Sequence, residues 1–156
     1  MSHFAEEAGR ALKSRAAVLA TAESCTGGGI AQAVTAVAGS SGWFGYGYVT
    51  YSNEAKQHML GVHPDVIEAH GAVSEAVVRQ MAEGALQKSG ADIAVAVSGV
   101  AGPGGGSQDK PVGTVWLAWA VRGELTVAKN FLFLGSRKQV RNQSVEKALE
   151  GVVSLL

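Results

Sequence analysis

The chain is short of the features that would place it in several large classes of protein. Only one of its 156 residues is cysteine, so no internal disulfide can form and the fold does not depend on an oxidising compartment. A single thiol cannot complete a thiolate zinc centre. His58, His63 and His70, though close in sequence, match no zinc spacing, and no metal or other cofactor is expected. Net charge is also missing, because 13 Lys and Arg balance 13 Asp and Glu. Nonspecific binding to nucleic acid or to an anionic membrane would need a basic excess. No apolar run reaches the ~18 residues of a membrane span. The first residues, MSHFAEEAGR, are polar and acidic, unlike a secretory leader. These absences point to a cytoplasmic protein with no nucleic-acid or membrane partner.

What is present is material for a core. Apolar residues make up 47% of the chain and charged residues 17%. A chain of this size buries roughly 70% of the surface its unfolded form exposes, which excludes global disorder. The length predicts one domain over residues 1–156. Glycine is in excess, at 21 residues, where an average chain has about 7%. It clusters at Gly27–Gly29 and again between Gly99 and Gly106, beside apolar runs. Such clusters mark backbone that must approach something closely, the first sign of a ligand site.

Hydrophobic spacing predicts the elements. Phe4, Ala8, Ala11 and Leu12 share one face of a helix over 2–15 that Ser2 can cap. Val18–Ala22 is a short apolar strand, and helical spacing returns over Thr26–Val37. Residues 43–52 (WFGYGYVTYS) are aromatic and β-branched with interspersed glycines, a strand with room for a bulge. Asn53 starts a short helix that Gly61 stops, and Pro64 opens another turn of helix. Ser74 caps a helix over 75–89 that Gly90 closes. The run 93–98 (IAVAVS) is continuously apolar, as a buried central strand should be. Segments 112–121 and 125–134 flank Arg122-Gly123-Glu124 as an antiparallel hairpin. Trp116 and Trp119, three apart, fall on opposite faces of it. Ser136 caps a final helix. Helices alternating with strands, plus a hairpin, predict an α/β fold: three α/β/α layers around a mixed β-sheet.

Three segments carry possible chemistry. In the first, Thr21-Ala22-Glu23-Ser24-Cys25-Thr26-Gly27-Gly28-Gly29, a strand runs into a helix. A helix start offers unpaired N–H groups and partial positive charge to an oxyanion or a bound anion. Ser24 can present its hydroxyl there, or simply cap the helix. Cys25 is either a nucleophile of lowered pKa or a buried thiol. In the second, Tyr51-Ser52-Asn53-Glu54-Ala55-Lys56, a cap at Asn53 puts Lys56 in the first helical turn, where the macrodipole disfavours a cation. Burial and dipole would both push its pKa down and suit a neutral base, whereas a solvated lysine would tolerate the position. The third, Ser98-Gly99-Val100-Ala101-Gly102-Pro103-Gly104-Gly105-Gly106-Ser107, follows the central strand, where ligands collect in open α/β sheets. Its N–H groups can form an anion nest, or the loop can be plain surface. It is neither a Walker A loop nor a dinucleotide fingerprint. Arg137 at the start of the last helix can clamp a phosphate or carboxylate, or stand exposed.

Taken together, the runs Ala22–Gly28, Tyr51–Lys56, His70-Gly71-Ala72-Val73-Ser74-Glu75, Ser98–Pro103 and Lys110-Pro111-Val112-Gly113-Thr114-Val115 resemble the CinA C-terminal domain family in order and spacing, over nearly the whole chain. The length is similar to that of its stand-alone members, the nicotinamide-nucleotide amidohydrolases. The resemblance implies metal-free hydrolysis of the carboxamide of nicotinamide mononucleotide to nicotinate mononucleotide and ammonia. It implies Ser24 as nucleophile and Lys56 as base, with Tyr51 in the catalytic group. Cys25, Thr26, Gly27, Ser41, Ser98, Gly99, Gly102, Gly105 and Arg137 would bind substrate. Ser41 competes with Ser24 for the covalent role. A homo-oligomer, dimer or higher, is expected because an aromatic hairpin would expose apolar surface on a monomer. The alternative is a nucleotide-binding or competence- and damage-related regulatory domain without catalysis.

Overall fold

The structure, a computed structural model, describes residues 2–156. Six α-helices and five strands follow one another as α1 (His3–Ser14), β1 (Leu19–Glu23), α2 (Gly29–Thr35), β2 (Phe44–Val49), α3 (Asn53–Leu60), α4 (Pro64–His70), α5 (Glu75–Ser89), β3 (Ile93–Gly99), β4 (Thr114–Val121), β5 (Val127–Leu132) and α6 (Arg137–Leu155). A short 3-10 turn at Ser40–Gly42 precedes β2. The caps read from the sequence hold at three helix starts. Ser2, Ser74 and Ser136 each accept a hydrogen bond from the N–H three residues on, and Gln139 completes a capping box with Ser136.

The sheet has the order β2-β1-β3-β4-β5. β2, β1 and β3 run parallel, and the β4–β5 hairpin adds antiparallel strands to one side. The register shifts between Leu19 and Ala20, which pair with Phe44 and Tyr46, so Gly45 is the extra residue of the bulge that the glycines allow.

Alternation along the strands sorts the side chains into two cores. Leu19, Ile93, Val95, Val97, Leu117 and Trp119 face α1, α2 and α6. The other face is alanine at Ala20, Ala22, Ala94, Ala96, Ala118 and Ala120, and there α3, α4 and α5 pack. This is the expected three-layer α/β/α arrangement. Trp116 and Trp119 do lie on opposite faces, and the Trp119 indole donates to the Ala148 carbonyl at 2.9 Å. Of the hairpin's tryptophans, Trp119 is buried and Trp116 half-buried. The exposed large apolar side chains include Leu125, Leu132 and Leu134 on the β5 side and Tyr46 and Val49 on β2, at the two edges of the sheet.

The topology decides where a ligand can sit. The connection from β1 to β2 carries α2 over one face, and the connection from β2 to β3 carries α3, α4 and α5 over the other. The chain therefore diverges at the carboxyl ends of the adjacent strands β1 and β3 and leaves a crevice between them. Ser24 follows the first of these ends, and Ser98 and Gly99 form the second.

Candidate active site

Beyond β1 the chain turns tightly before entering α2. The Gly27 N–H donates to the Ser24 carbonyl and the Gly29 N–H to the Thr26 carbonyl, both at 3.0 Å. Gly28, at φ 103°, is the residue ahead of the helix and adopts a left-handed conformation that a side chain would strain. The helix expected from Thr26 begins only at Gly29, because its cap is not local. Buried Glu23, at the end of β1, accepts from the Ile30 and Ala31 N–H groups at 2.8 and 3.0 Å, and from the Thr26 hydroxyl at 2.5 Å. A carboxylate at a helix N-terminus satisfies both the free donors and the dipole. The N–H groups of Cys25 and Thr26 find no acceptor among the described residues.

Lys56 reaches this turn from the other side. The cap of α3 is Ser52, whose hydroxyl accepts from the Ala55 N–H at 3.0 Å, so Asn53 is the first helical residue rather than the cap. Lys56 is 1% exposed. Its Nζ lies 3.0 Å from Ser24 Oγ, 3.0 Å from the Thr50 carbonyl and 3.2 Å from the Tyr51 carbonyl. Burial holds its pKa below the ordinary 10.5, and no carboxylate among its hydrogen-bond partners offsets that. Two of the partners are carbonyls, which only accept. A neutral amine gives them its two N–H groups and turns its lone pair to the Ser24 hydroxyl. The amine is thereby held against the Ser24 hydroxyl.

The thiol next door is not a competing nucleophile. Cys25 is 7% exposed, and burial, followed by the charge of Glu23, pushes its pKa up to about 11. At neutral pH a thiol with that pKa is overwhelmingly protonated, which disfavours it as a nucleophile.

A cleft of about 270 Å³ opens over the pair. Ser24, Cys25, Tyr51 and Lys56 form one wall, Ser98, Gly99, Gly102 and Gly105 the other, and Arg137 stands at its edge. No carboxylate lines it. The Ser98 hydroxyl donates to the Ala72 carbonyl at 2.9 Å and so ties the end of β3 to the loop between α4 and α5. The glycine loop is pinned at its base, where the Val100 N–H donates to Thr114 O at 2.8 Å and the Gly113 N–H to Val100 O at 2.7 Å. Between these, the N–H groups of Ala101, Gly102, Gly104 and Gly105 have no acceptor among the described residues. A side chain at Gly102, which has φ 81°, would place its Cβ 2.4 Å from Val112 Cγ1. Arg137 spans the mouth, donating to the Gly102 carbonyl at 2.8 Å and to the Tyr51 hydroxyl at 3.2 Å. The arrangement sets a serine beside a buried amine, with unpaired N–H groups next to it and a second set of unpaired N–H groups on the glycine loop.

A profile of the CinA C-terminal domain family matches residues 1–156. The chain belongs to that family. The nicotinamide-nucleotide amidohydrolase PncC of Escherichia coli K12 is 53% identical over 151 residues, covering 96% of this chain and 91% of that protein. A Pseudomonas putida protein of the same name is 54% identical over 152 residues, covering 97% and 94%. Among solved structures, the competence/damage inducible protein CihA from Agrobacterium tumefaciens superposes with a TM-score of 0.94 at 44% identity, covering 97% of this chain and 94% of that one. The competence damage-inducible protein A from Klebsiella pneumoniae gives 0.93 at 45%, covering 97% and 93%.

Within this family member, most of the residues singled out from the sequence converge. Ser24, Cys25, Tyr51, Lys56, Ser98, Gly99, Gly102, Gly105 and Arg137 all line the one cleft. Thr26, Gly27 and Ser41 do not. Thr26 is buried with its hydroxyl turned to Glu23, and Gly27 lies on the side of the turn that faces Arg141. Ser41 is exposed in the 3-10 turn ahead of β2. Because β1 and β2 are parallel, that turn adjoins Leu19 at the amino end of β1, whereas Ser24 follows its carboxyl end. Five residues of strand, about 3.3 Å each, separate the two. Sequence reasoning missed Glu23 and Arg141 as site residues. The Arg141 guanidinium donates from Nε to Cys25 O and from Nη2 to Thr26 O, both at 3.1 Å. Glu23 had a local signal, an acidic residue just ahead of a helix start; Arg141 had none. Among the described residues no three His, Cys, Asp or Glu side chains come together as a metal site, and no helix is long and apolar enough to cross a membrane.

Proposed function

We propose that this chain hydrolyses the carboxamide of nicotinamide mononucleotide, giving nicotinate mononucleotide and ammonia, with Ser24 as nucleophile and Lys56 as its base. The observation that carries the reading is the 3.0 Å approach of a buried amine to the Ser24 hydroxyl. Burying a lysine without a carboxylate is costly, and its approach to a serine hydroxyl is the pairing that activates a serine nucleophile.

The chemistry divides into two balanced halves. Ser24 Oγ bonds to the carboxamide carbon as its proton passes to Lys56. The oxyanion formed meets the free N–H groups of Cys25 and Thr26. When it collapses the C–N bond breaks, and Lys56 returns the proton to the departing ammonia. Water then attacks the acyl-serine ester, giving its proton to Lys56, and the nicotinate leaves as Ser24 is reprotonated. The cationic pyridinium makes the carboxamide more electrophilic and disfavours a second positive charge at Lys56. Tyr51 and Arg137 frame the mouth, and Arg137 with the 101–105 N–H groups receives the phosphate. The enzyme acts in the cytoplasm as a homo-oligomer, in which exposed apolar side chains such as Leu125, Leu132 and Leu134 would be covered.

The test is ammonia release from nicotinamide mononucleotide by the wild type, Ser24→Ala and Lys56→Ala, with intact mass spectrometry of the enzyme during turnover. An acyl adduct mapping to Ser24, and loss of turnover in both variants, are expected. Turnover persisting in both variants would exclude the dyad. Binding of the nucleotide without ammonia release by the wild type would make this a recognition domain.

A further inference from the structure

We infer that Arg141 is a positioning residue for the oxyanion donors of this site, acting through the backbone carbonyls of Cys25 and Thr26 from the side of the turn away from the substrate. The inference rests on the proposed Ser24 chemistry and adds to it a residue that never touches the ligand.

In a planar trans peptide the C=O of one residue and the N–H of the next point in opposite directions. Arg141 Nε holds the Cys25 carbonyl at 3.1 Å, which turns the Thr26 N–H away from the guanidinium. The Ser24 carbonyl is held inside the turn by the Gly27 N–H at 3.0 Å, which turns the Cys25 N–H outward. Arg141 Nη2 and the Gly29 N–H share the Thr26 carbonyl at 3.1 and 3.0 Å and fix the next peptide as well. Arg141 itself lies in a second groove, with Thr26, Gly29 and Val145, while the substrate cleft is lined by Ser24 and Cys25. The guanidinium thus sits in a groove that shares only Arg137 with the cleft, on the carbonyl side of one short turn.

The grip is two-sided. Glu23 takes the Thr26 hydroxyl and the first N–H groups of α2, so a carboxylate anchors the turn from β1 while a guanidinium anchors its carbonyls from α6. Without Arg141 the turn keeps its Glu23 anchor, the Cys25 N–H stays turned outward by the Gly27 bond to Ser24 O, and Ser24 keeps Lys56, but the Cys25–Thr26 peptide loses its hold and is free to rotate the Thr26 N–H off the oxyanion. Lysine, a point donor, can hold one carbonyl but not both in the fork geometry. Charge on a donor to these carbonyls also polarises the peptides and strengthens their N–H groups as donors.

This separates the expected kinetics from those of a residue that merely braces α6. Loss of an oxyanion donor costs roughly 10²–10³ in kcat. Misorientation through Arg141→Met should lower kcat by about ten- to a hundred-fold, with KM for nicotinamide mononucleotide and the affinity for nicotinate mononucleotide changed less than about three-fold. The pH at which kcat reaches half its plateau should stay put, since Lys56 keeps all its partners. Arg141→Lys should recover part of kcat, and guanidinium ion should partly rescue Arg141→Ala. Should Arg141→Met fail to fold, the Lys variant carries the same comparison. Unchanged kcat, or a loss confined to KM, overturns the inference. Ser24→Ala run alongside keeps the two readings apart: turnover surviving in that variant sinks the dyad alone. In that event amide hydrogen exchange decides. Faster exchange of residues 25–28 in Arg141→Lys, with α6 unaltered, supports the positioning role, and unaltered exchange in that turn rejects it.

Discussion

At the scale of single residues, the site depends on the protonation of one buried amine. Burial lowers the Lys56 pKa, so under the proposed mechanism activity is full above that lowered value and is lost as pH falls through it. The same displacement has a thermodynamic sign. The unfolded chain holds the proton up to the ordinary 10.5 while the folded chain gives it up sooner. Between the lowered value and 10.5 the unfolded state therefore binds more protons, and stability rises with pH. A tenfold difference in proton affinity between the two states is worth about 1.4 kcal/mol across that window. Lys56→Met removes the effect. Urea unfolding at several pH values from 7 to 10 should show the difference between wild type and Lys56→Met moving steadily in favour of the wild type. Parallel curves would mean that the amine is charged in the fold and cannot serve as the base. The sequence let Ser24 and Lys56 be chosen because motif order is linear information. It offered no view of Arg141, whose contact with Cys25 spans 116 positions along the chain, nor of Ser41 lying at the wrong end of β1.

At the scale of elements, Lys56 is only as well placed as α3, and α3 is seated on α5 through backbone. A Cβ at Gly84 would fall 1.9 Å from the carbonyl oxygen of Leu60, the last residue of α3. Alanine is the better helix former by about 1 kcal/mol, so Gly84→Ala on an open helix face would stabilise. Here it must push α3 off α5, at roughly the 1–3 kcal/mol of an overpacked core. Thermal unfolding should show a lower Tm, and kcat should fall with it because the 3.0 Å approach of Lys56 to Ser24 is disturbed. A raised Tm would mean that α3 is not seated this way. Helix starts capped by a neighbouring serine were legible, since capping by Ser2, Ser74 or Ser136 is a contact over three residues. The start of α2 was misplaced because its cap, Glu23, lies seven and eight residues before the N–H groups it receives. The alternation that divides the sheet into a branched face and an alanine face was hidden inside what looked like one apolar run, IAVAVS.

At the scale of the whole molecule, charge separates capture from recognition. The formal net charge is zero, so no long-range field draws an anionic ligand in. Under the proposed function, discrimination for the phosphate is made at the cleft, whose lining includes Arg137 and no carboxylate. Arg137 has a second duty, since its bonds to Gly102 O and the Tyr51 hydroxyl join the start of α6 to both walls. Loss of hydrogen bonds to a charged group costs about 1.5–3 kcal/mol, which corresponds to a rise of about ten- to a hundred-fold in KM. Arg137→Met should show that rise for nicotinamide mononucleotide and a much smaller one for the riboside that lacks the phosphate. Arg137 is exposed at the edge of the cleft, so salt screens its contact with the phosphate, and wild-type KM should rise between about 50 and 300 mM salt while kcat stays level. Equal losses for nucleotide and riboside would move the phosphate off Arg137 and onto the glycine loop alone. A KM indifferent to salt would mean that the phosphate is held inside the crevice between β1 and β3 by the glycine loop and not by Arg137.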